Sequence, residues 1–393
     1  MLLGVSRGAE GVAFGLLTAV AVSRLPVTWR LYARLLHATP FLLLLCFALW
    51  QSLSVLWSQA KNVGLNDVLP RYVLACLAIW PLMGRWRTLM LALAAGAVGY
   101  AGFVLVLSAS KATPAQQAAM SWVMKDAPAA GMTMAMALAA MTVHPWPRRI
   151  WARLAIVLGA GVALGGIGAL GQRMPMITGI GGVIVGLTAP AHGPRRLRRL
   201  AWRLALGAVV LATAGSLALM VSNPRNRAWV SNMFTAARDG HALTTQEAAD
   251  LTGLRGPLAR MATTIWAEHP LFGAGAHGFA VESKRRLAAE PDFYGCSPDQ
   301  TAELIKVTSA HNAYLDEAAA RGIVGISLLA ALVATCAWWA WKADPSTATL
   351  GMLATWFGMS LATPASLRTI PMVLLALIVA RTSMIAGCRR PLG

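Results

Sequence analysis

Three groups of residues in this 393-residue chain have types and spacings that could do chemistry. The first is Arg173, in the stretch GGIGALGQRMPMITGI, an arginine between two apolar, glycine-rich runs with no acid nearby in sequence. Such a charge either marks a site or a partner or snorkels to lipid headgroups. The second is LRGPLARMATTIWAEHPLFGAGAHGF, residues 254–279, in which Arg255 and Arg260 lie on a candidate helix ahead of a Gly-rich stop. The bland reading of the arginines is a solvated helix face, and that of the glycines is turn chemistry. The third is HNAYLDEAAARGIVG, residues 311–325. His311 is either a satisfied interfacial histidine or a proton acceptor, and Asn312 can cap the helix that follows. Asp316 and Glu317 fall about one and a half turns beyond His311, so whether either orients it stays open. Guanidinium groups bind phosphate in a planar, bidentate way. Guanidinium groups and an imidazole with no acidic metal cluster would suit metal-free displacement of a diphosphate.

The elements that must position these groups are membrane helices. The chain is 57% hydrophobic and only 12% charged, where a soluble domain runs near a quarter charged. Apolar runs long enough to cross a bilayer recur along it. This composition excludes a cytoplasmic enzyme, a secreted disulfide scaffold and a disordered protein. The net charge of +19 does not point to nucleic acid, because the arginines cluster between apolar spans, as in a protein that sets its orientation in a membrane. The five cysteines, Cys46, Cys76, Cys296, Cys336 and Cys388, show neither CxxC nor paired spacing, so no disulfide framework or zinc site is expected.

About eleven spans are predicted, near 9–23, 38–57, 68–83, 88–108, 128–143, 151–170, 174–190, 202–221, 318–341, 347–363 and 369–385. The expected fold is an all-α polytopic integral membrane bundle of about 11–12 helices. Its parts are an N-terminal bundle over 1–221, a long outer segment of short helices over 222–312, and C-terminal spans over 313–393. The dense glycines of 159–186 suit close helix packing; no phosphate-cradling loop is present. Loops holding Arg24/Arg30/Arg34, Arg85/Arg87, Arg148/Arg149/Arg153, Arg195–Arg203 and Arg389/Arg390 alternate with poorer ones. The basic set is cytoplasmic by the positive-inside rule, and residues 222–312 lie outside. The odd count places the N-terminus outside as well, which points to a missed first span or a truncated start. No cleavable signal peptide is expected.

The outer segment holds nine of the fifteen acids. Helices are predicted over 255–268, ending before His269-Pro270, and over 277–290, which could lie along the membrane surface. Glu268 reads as a surface acid on a helix C-terminal turn rather than a general base. Arg321 reads as meeting lipid headgroups or the outer segment's acids. Trp338, Trp339 and Trp341 read as an interfacial aromatic belt.

Here the motifs become specific. His311-Asn312, nine residues, then Gly322-Ile323-Val324-Gly325 resembles the His-Asn/Ser/Gln, nine residues, Gly-x-x-Gly signature of the O-antigen ligases. Arg260 with His269-Pro270-Leu271-Phe272-Gly273-Ala274-Gly275 and Phe279 is similar to the Arg…HPLxGxG…F segment that these ligases share with polysaccharide polymerases. Arg173-Met174-Pro175-Met176-Ile177 resembles the family's Arg-x-x-x-Leu motif, with Ile177 for leucine. Ala259 stands where polymerase-like members often have tryptophan, which leaves Arg255 as a competitor of Arg260. The resemblance covers roughly 165–340; the N-terminal spans match in hydropathy only.

The resemblance implies a glycosyltransferase of the bacterial inner membrane with its site facing the periplasm. It implies an undecaprenyl-diphosphate-linked glycan as donor and lipid A–core as acceptor, with membrane lipids around the bundle and no cofactor, metal or nucleic acid. Arg173 and Arg260 would hold the diphosphate, His311 would act as base, and Arg255, Asn312 and Tyr314 would contact substrate. The nearest rival is a repeat-unit polymerase of the same superfamily, which more often carries two sizeable arginine-bearing outer loops. A transporter or flippase is expected to bury charge at mid-membrane. Apart from Arg71 near a span start, the predicted membrane centres are almost bare of charge.

Overall fold

The computed structural model describes residues 25–60, 71–109, 127–141, 150–170, 173–188, 254–289, 298–343, 348–362 and 369–388, with Gly15, Ala19, Val22 and Ser23. The predicted spans 9–23 and 202–221, and residues 222–253, lie outside the described residues, apart from the isolated positions just named. All regular structure among the described residues is helical. The helices are α1 (Leu25–Leu36), α2 (Thr39–Leu53), α3 (Arg71–Ile79), α4 (Trp86–Ala109), α5 (Ala127–Met141), α6 (Ile150–Ala169) and α7 (Arg173–Thr188). After them come α8 (Arg255–Glu268), α9 (Gly278–Ala289), α10 (Pro298–Leu304), α11 (Ala313–Ala343), α12 (Ala348–Ser360) and α13 (Thr369–Cys388). Tight 3₁₀ turns extend α2 over Ser54–Trp57 and join α3 to α4 over Trp80–Arg85.

Among the described residues three stretches are long and apolar enough to cross a membrane, Thr39–Trp57, Tyr72–Ser108 and Ala313–Lys342, and shorter apolar helices accompany them. The protein is a polytopic membrane helix bundle. Its outward faces carry large apolar side chains such as Leu91, Val106, Trp151 and Leu158, which suits hydrocarbon rather than water. One correction falls at the start. Residues 24–37 read as a basic loop, yet Leu25–Leu36 is helical. Its apolar residues Tyr32 and Leu35 are buried while Arg34 is exposed, so this stretch is an amphipathic helix.

Among the described residues two cores hold the bundle. In one, Phe41, Leu44 and Phe47 of α2 meet Tyr72 and Cys76 of α3, Leu329 and Leu332 of α11, Trp356 of α12 and Leu375 of α13. In the other, Tyr100 and Val104 of α4 meet Met134 of α5, Ile167 of α6 and Met176 of α7. Between lipid-facing helices there is no water to expel, so close contact must supply the packing. The glycines allow it. A Cβ on Gly182 of α7 would lie 2.6 Å from the Gly351 carbonyl of α12 and would also overlap Thr355. One on Gly166 would lie 2.6 Å from the Ala101 Cβ of α4.

A third, smaller core lies at one end of the bundle. Leu258, Met261 and Ile265 of α8, Phe279 and Leu287 of α9 and Leu304 of α10 pack on Ala310 and on Ala319 of α11. The predicted helix 255–268 coincides with α8, and the predicted helix 277–290 falls on α9. Both helices therefore rest on the N-terminal part of α11, where the His311 motif begins.

Candidate functional site

The start of α11 is tightly specified. The Asn312 Oδ1 accepts the backbone N–H groups of Tyr314 at 3.0 Å and Leu315 at 3.1 Å, satisfying two of the donors that a helix start leaves orphaned. The Asp316 carboxylate accepts the N–H of Ala310 at 2.6 Å. Between these two clasps His311 is half-buried and adopts φ 52°, the left-handed region that an L-residue rarely enters. Tyr314 stacks on Phe357 with ring centroids 5.3 Å apart, and its hydroxyl donates to the Phe357 carbonyl.

Two turns further on α11 breaks. Gly322 takes φ 65° and ψ −160° inside the helix. The break removes the usual partners of the Ala319 and Ala320 carbonyls. Those carbonyls are instead reached by the N–H groups of Ala274 at 2.8 Å and Gly275 at 2.9 Å, while Ile323 donates to the Pro270 carbonyl at 2.8 Å. The HPLFGAG turn is thus the hydrogen-bonding partner of the broken helix. Turn chemistry accounts for only half of the glycines' role. Gly273 and Gly275 do hold positive φ, 68° and 86°. In addition, a Cβ on Gly273 would overlap the backbone at Ala320 and Arg321, one on Gly322 would overlap the Leu271 carbonyl, and one on Gly275 would lie 2.6 Å from the Ser58 Cα. Ala276 completes the joint, donating to the Ser54 carbonyl at 3.1 Å and accepting from the Ser58 hydroxyl.

The candidate arginines lie on two helices, α8 and α7. On α8, Leu258, Met261, Ala262 and Ile265 are buried, and Arg255 and Arg260 are exposed. Surrounding protein lowers the Arg255 pKa, and a guanidinium keeps its proton at neutral pH all the same. Arg173 is the first residue of α7, and its side chain lies outside the described residues. The backbone position is informative. Thr178, about 7.5 Å along the axis, lies against Gly358, and its carbonyl accepts from Thr355 at 3.3 Å. Phe357, next to Gly358, is the residue that Tyr314 stacks on. The starts of α7 and α11 therefore share one end of the bundle, and α8 packs there too.

Sequence reasoning missed a buried polar network beneath this joint. Arg321 NH1 donates to Glu317 Oε1 at 2.7 Å, and the two residues are 4% and 0% exposed. Gln51 of α2 donates to the same oxygen at 3.3 Å, the Tyr72 hydroxyl donates to Gln51 at 2.6 Å, and the Trp50 indole donates to the Arg321 carbonyl at 3.2 Å. Arg321 therefore meets neither headgroups nor outer acids; its partner is one turn away on its own helix. The i, i+4 spacing of Glu317 and Arg321 was the available signal, together with Gln51 in an otherwise apolar run. Glu268 is the surface acid expected, and its ion pair with Arg286 holds it below the usual carboxylate range.

Beside the joint lies an apolar groove of about 590 Å³, lined by Trp50, Trp57, His269, Pro270, Leu271, Phe272 and Gly273. Trp50, Trp57 and Phe272 pack on one another with centroids 5.5 to 6.1 Å apart. Among the described residues no group of three or more His, Cys, Asp or Glu side chains is placed to hold a metal ion.

A search of curated proteins finds no match to the chain. Residues 162–330 match the family model described as O-Antigen ligase. That range takes in the start of α7, all of α8, the HPLFGAG turn, His311 and the break in α11. The chain is therefore a polytopic helical membrane protein whose residues 162–330 are similar to the O-antigen ligase family.

Proposed function

We propose that the protein is an inverting, metal-independent glycosyltransferase of the inner membrane. It moves an undecaprenyl-diphosphate-linked O-antigen glycan onto lipid A–core at the periplasmic face. The acceptor hydroxyl oxygen bonds to the anomeric carbon as the bond from that carbon to the diphosphate oxygen breaks. The departing electron pair stays on the diphosphate, which leaves on its lipid carrier. Arg173 and Arg260, with Arg255 as the alternative to Arg260, bind the diphosphate and stabilise the charge that grows on it. His311 takes the proton from the attacking hydroxyl. Asn312 and Tyr314 line the acceptor side.

The observation that carries this reading is the shared end. The first residue of α7, the exposed arginines of α8 and the strained backbone of His311 belong to elements that meet at one end of the bundle, all inside the family match. The apolar groove at Trp50, Trp57 and Phe272 also suits a substrate with a long hydrocarbon part.

The test uses Arg173→Ala, Arg260→Ala and His311→Ala at matched expression, scored for lipopolysaccharide laddering and, with purified protein, for transfer from lipid-linked glycan to lipid A–core in EDTA. Each variant is expected to lose about a hundredfold or more in rate, and the wild type keeps its rate in EDTA. Full transfer by His311→Ala would remove the base from the mechanism. Single repeats capping the core, in place of polymer left on its carrier, would assign the chain to polymerisation instead.

A further inference from the structure

His311 is held at φ 52°, in the left-handed region that a non-glycine residue enters only at a cost. Such strain persists only where the surroundings over-determine it, and it gathers at functional sites. The side chain that bridges this stretch is Asp316. Its side chain is 3% exposed, and Oδ1 reaches back over five residues to the N–H of Ala310, immediately before His311. Its own N–H donates to the Asn312 carbonyl, immediately after His311, at 2.9 Å. The residue that closes the first turn of α11 therefore grips the chain on both flanks of the histidine. The second carboxylate oxygen, Oδ2, is buried without a hydrogen-bond partner among the described residues. An unmade bond at a buried acceptor is costly, so a carboxylate is a poor filler for this position if packing were its only task.

We propose that Asp316 is a positioning residue: its side-chain bond to the Ala310 N–H holds the His311 backbone in the left-handed conformation and so aims the imidazole. This rests on His311 being the base. Asp316 acts through geometry, and a side chain that keeps an acceptor at the Oδ1 position can replace it. Displacing a reacting group by about 1 Å can cost about a hundredfold in rate, so Asp316→Ala is expected to lower kcat by about ten- to a hundredfold while KM for the lipid-linked donor stays put. Asp316→Asn, with its amide oxygen at the same place, is expected to keep kcat within about threefold of wild type.

The experiment measures kcat and KM for wild type, Asp316→Ala, Asp316→Asn and His311→Ala in detergent. Alongside runs an activity-independent readout, the rate of His311 modification by diethylpyrocarbonate, followed by mass spectrometry against His269 and His277 in the same molecule. A kcat loss restricted to Asp316→Ala, with a changed rate at His311 alone, supports the proposal. If Asp316→Ala yields no folded protein, Asp316→Ser takes its place: its oxygen falls short of Ala310, and the same pattern is expected. Wild-type kcat in the alanine or serine variant overturns the proposal. So does an asparagine variant as damaged as the alanine one, or a modification rate that shifts equally at all three histidines. The two readings fail differently. Full activity in His311→Ala removes the base, and this inference with it. A dead His311→Ala beside a fully active Asp316→Ala removes only the role of Asp316.

Discussion

Single residues explain why the joint cannot be repacked freely. Glu317 and Arg321 are buried together, and Gln51 and Tyr72 supply further hydrogen bonds across three helices. A buried pair adds little net stability compared with apolar replacements, whereas removing one partner leaves an uncompensated charge and costs about 3–5 kcal/mol. Arg321→Met is therefore expected to lower the thermal midpoint in detergent sharply. The double variant Glu317→Gln with Arg321→Met should recover most of the loss. A single variant as stable as wild type would show that this pair does not hold the three helices together. This network was half-legible in the sequence. The i, i+4 spacing of Glu317 and Arg321 was visible, but Gln51 lies 266 positions from Glu317, and no local pattern records a contact of that range. Proximity to the headgroup region made an exposed Arg321 the natural expectation; the Gly322 break and the overlying HPLFGAG turn are what bury it. For His311, Arg255 and Arg260 the motifs sufficed to single them out, but the strained backbone and the Asp316 clasp depend on three-dimensional closure.

At the level of elements, the broken α11 and the Gly-rich turn behave as one unit, because each satisfies backbone groups that the other leaves open. Gly322→Ala tests this. The substitution places a Cβ where φ is 65° and against the Leu271 carbonyl, so strain and overlap act together. Transfer is expected to fall at least tenfold, or folded protein to disappear from the membrane fraction. Gly161→Ala is the matched control. Nothing lies within 4 Å of a Cβ there, and alanine gains about 1 kcal/mol in a helix interior, so activity should be unchanged and the thermal midpoint equal or higher. Equal effects from the two would mean that the break does not depend on glycine. Element boundaries were the best-read feature of the chain. The predicted spans 128–143, 151–170 and 174–190 differ from α5, α6 and α7 by one or two residues, because unbroken apolar runs leave little choice of limits. The amphipathic α1 was missed because its arginines read as a loop.

At the scale of the whole molecule, the two ends of the bundle differ in charge and in architecture. One end carries the joint of α8, α9, the Gly-rich turn and the start of α11. At the other, Arg381 lies over the Trp86 ring, Gly387 approaches the Arg34 backbone and Lys342 lies over Trp338. Arg34, Arg85 and Arg87 lie at this second end, and Arg389 and Arg390 follow α13 in the sequence. Short basic segments stay on the cytoplasmic side, so the joint should face away from the cytoplasm, where a lipid-linked glycan would be presented. Cysteine labelling decides this without reference to activity. Cys46, Cys296 and Cys388 are replaced by serine, while the buried Cys76 and Cys336 stay in place. Glu303→Cys, exposed beside the joint, should then react with a membrane-impermeant maleimide in cells whose outer membrane has been permeabilised. Lys342→Cys, exposed at the far end of α11, should react only after the inner membrane is opened. The opposite pattern would place His311 and the exposed arginines of α8 in the cytoplasm, where no acceptor of this kind is presented, and would leave the ligase reading without a substrate.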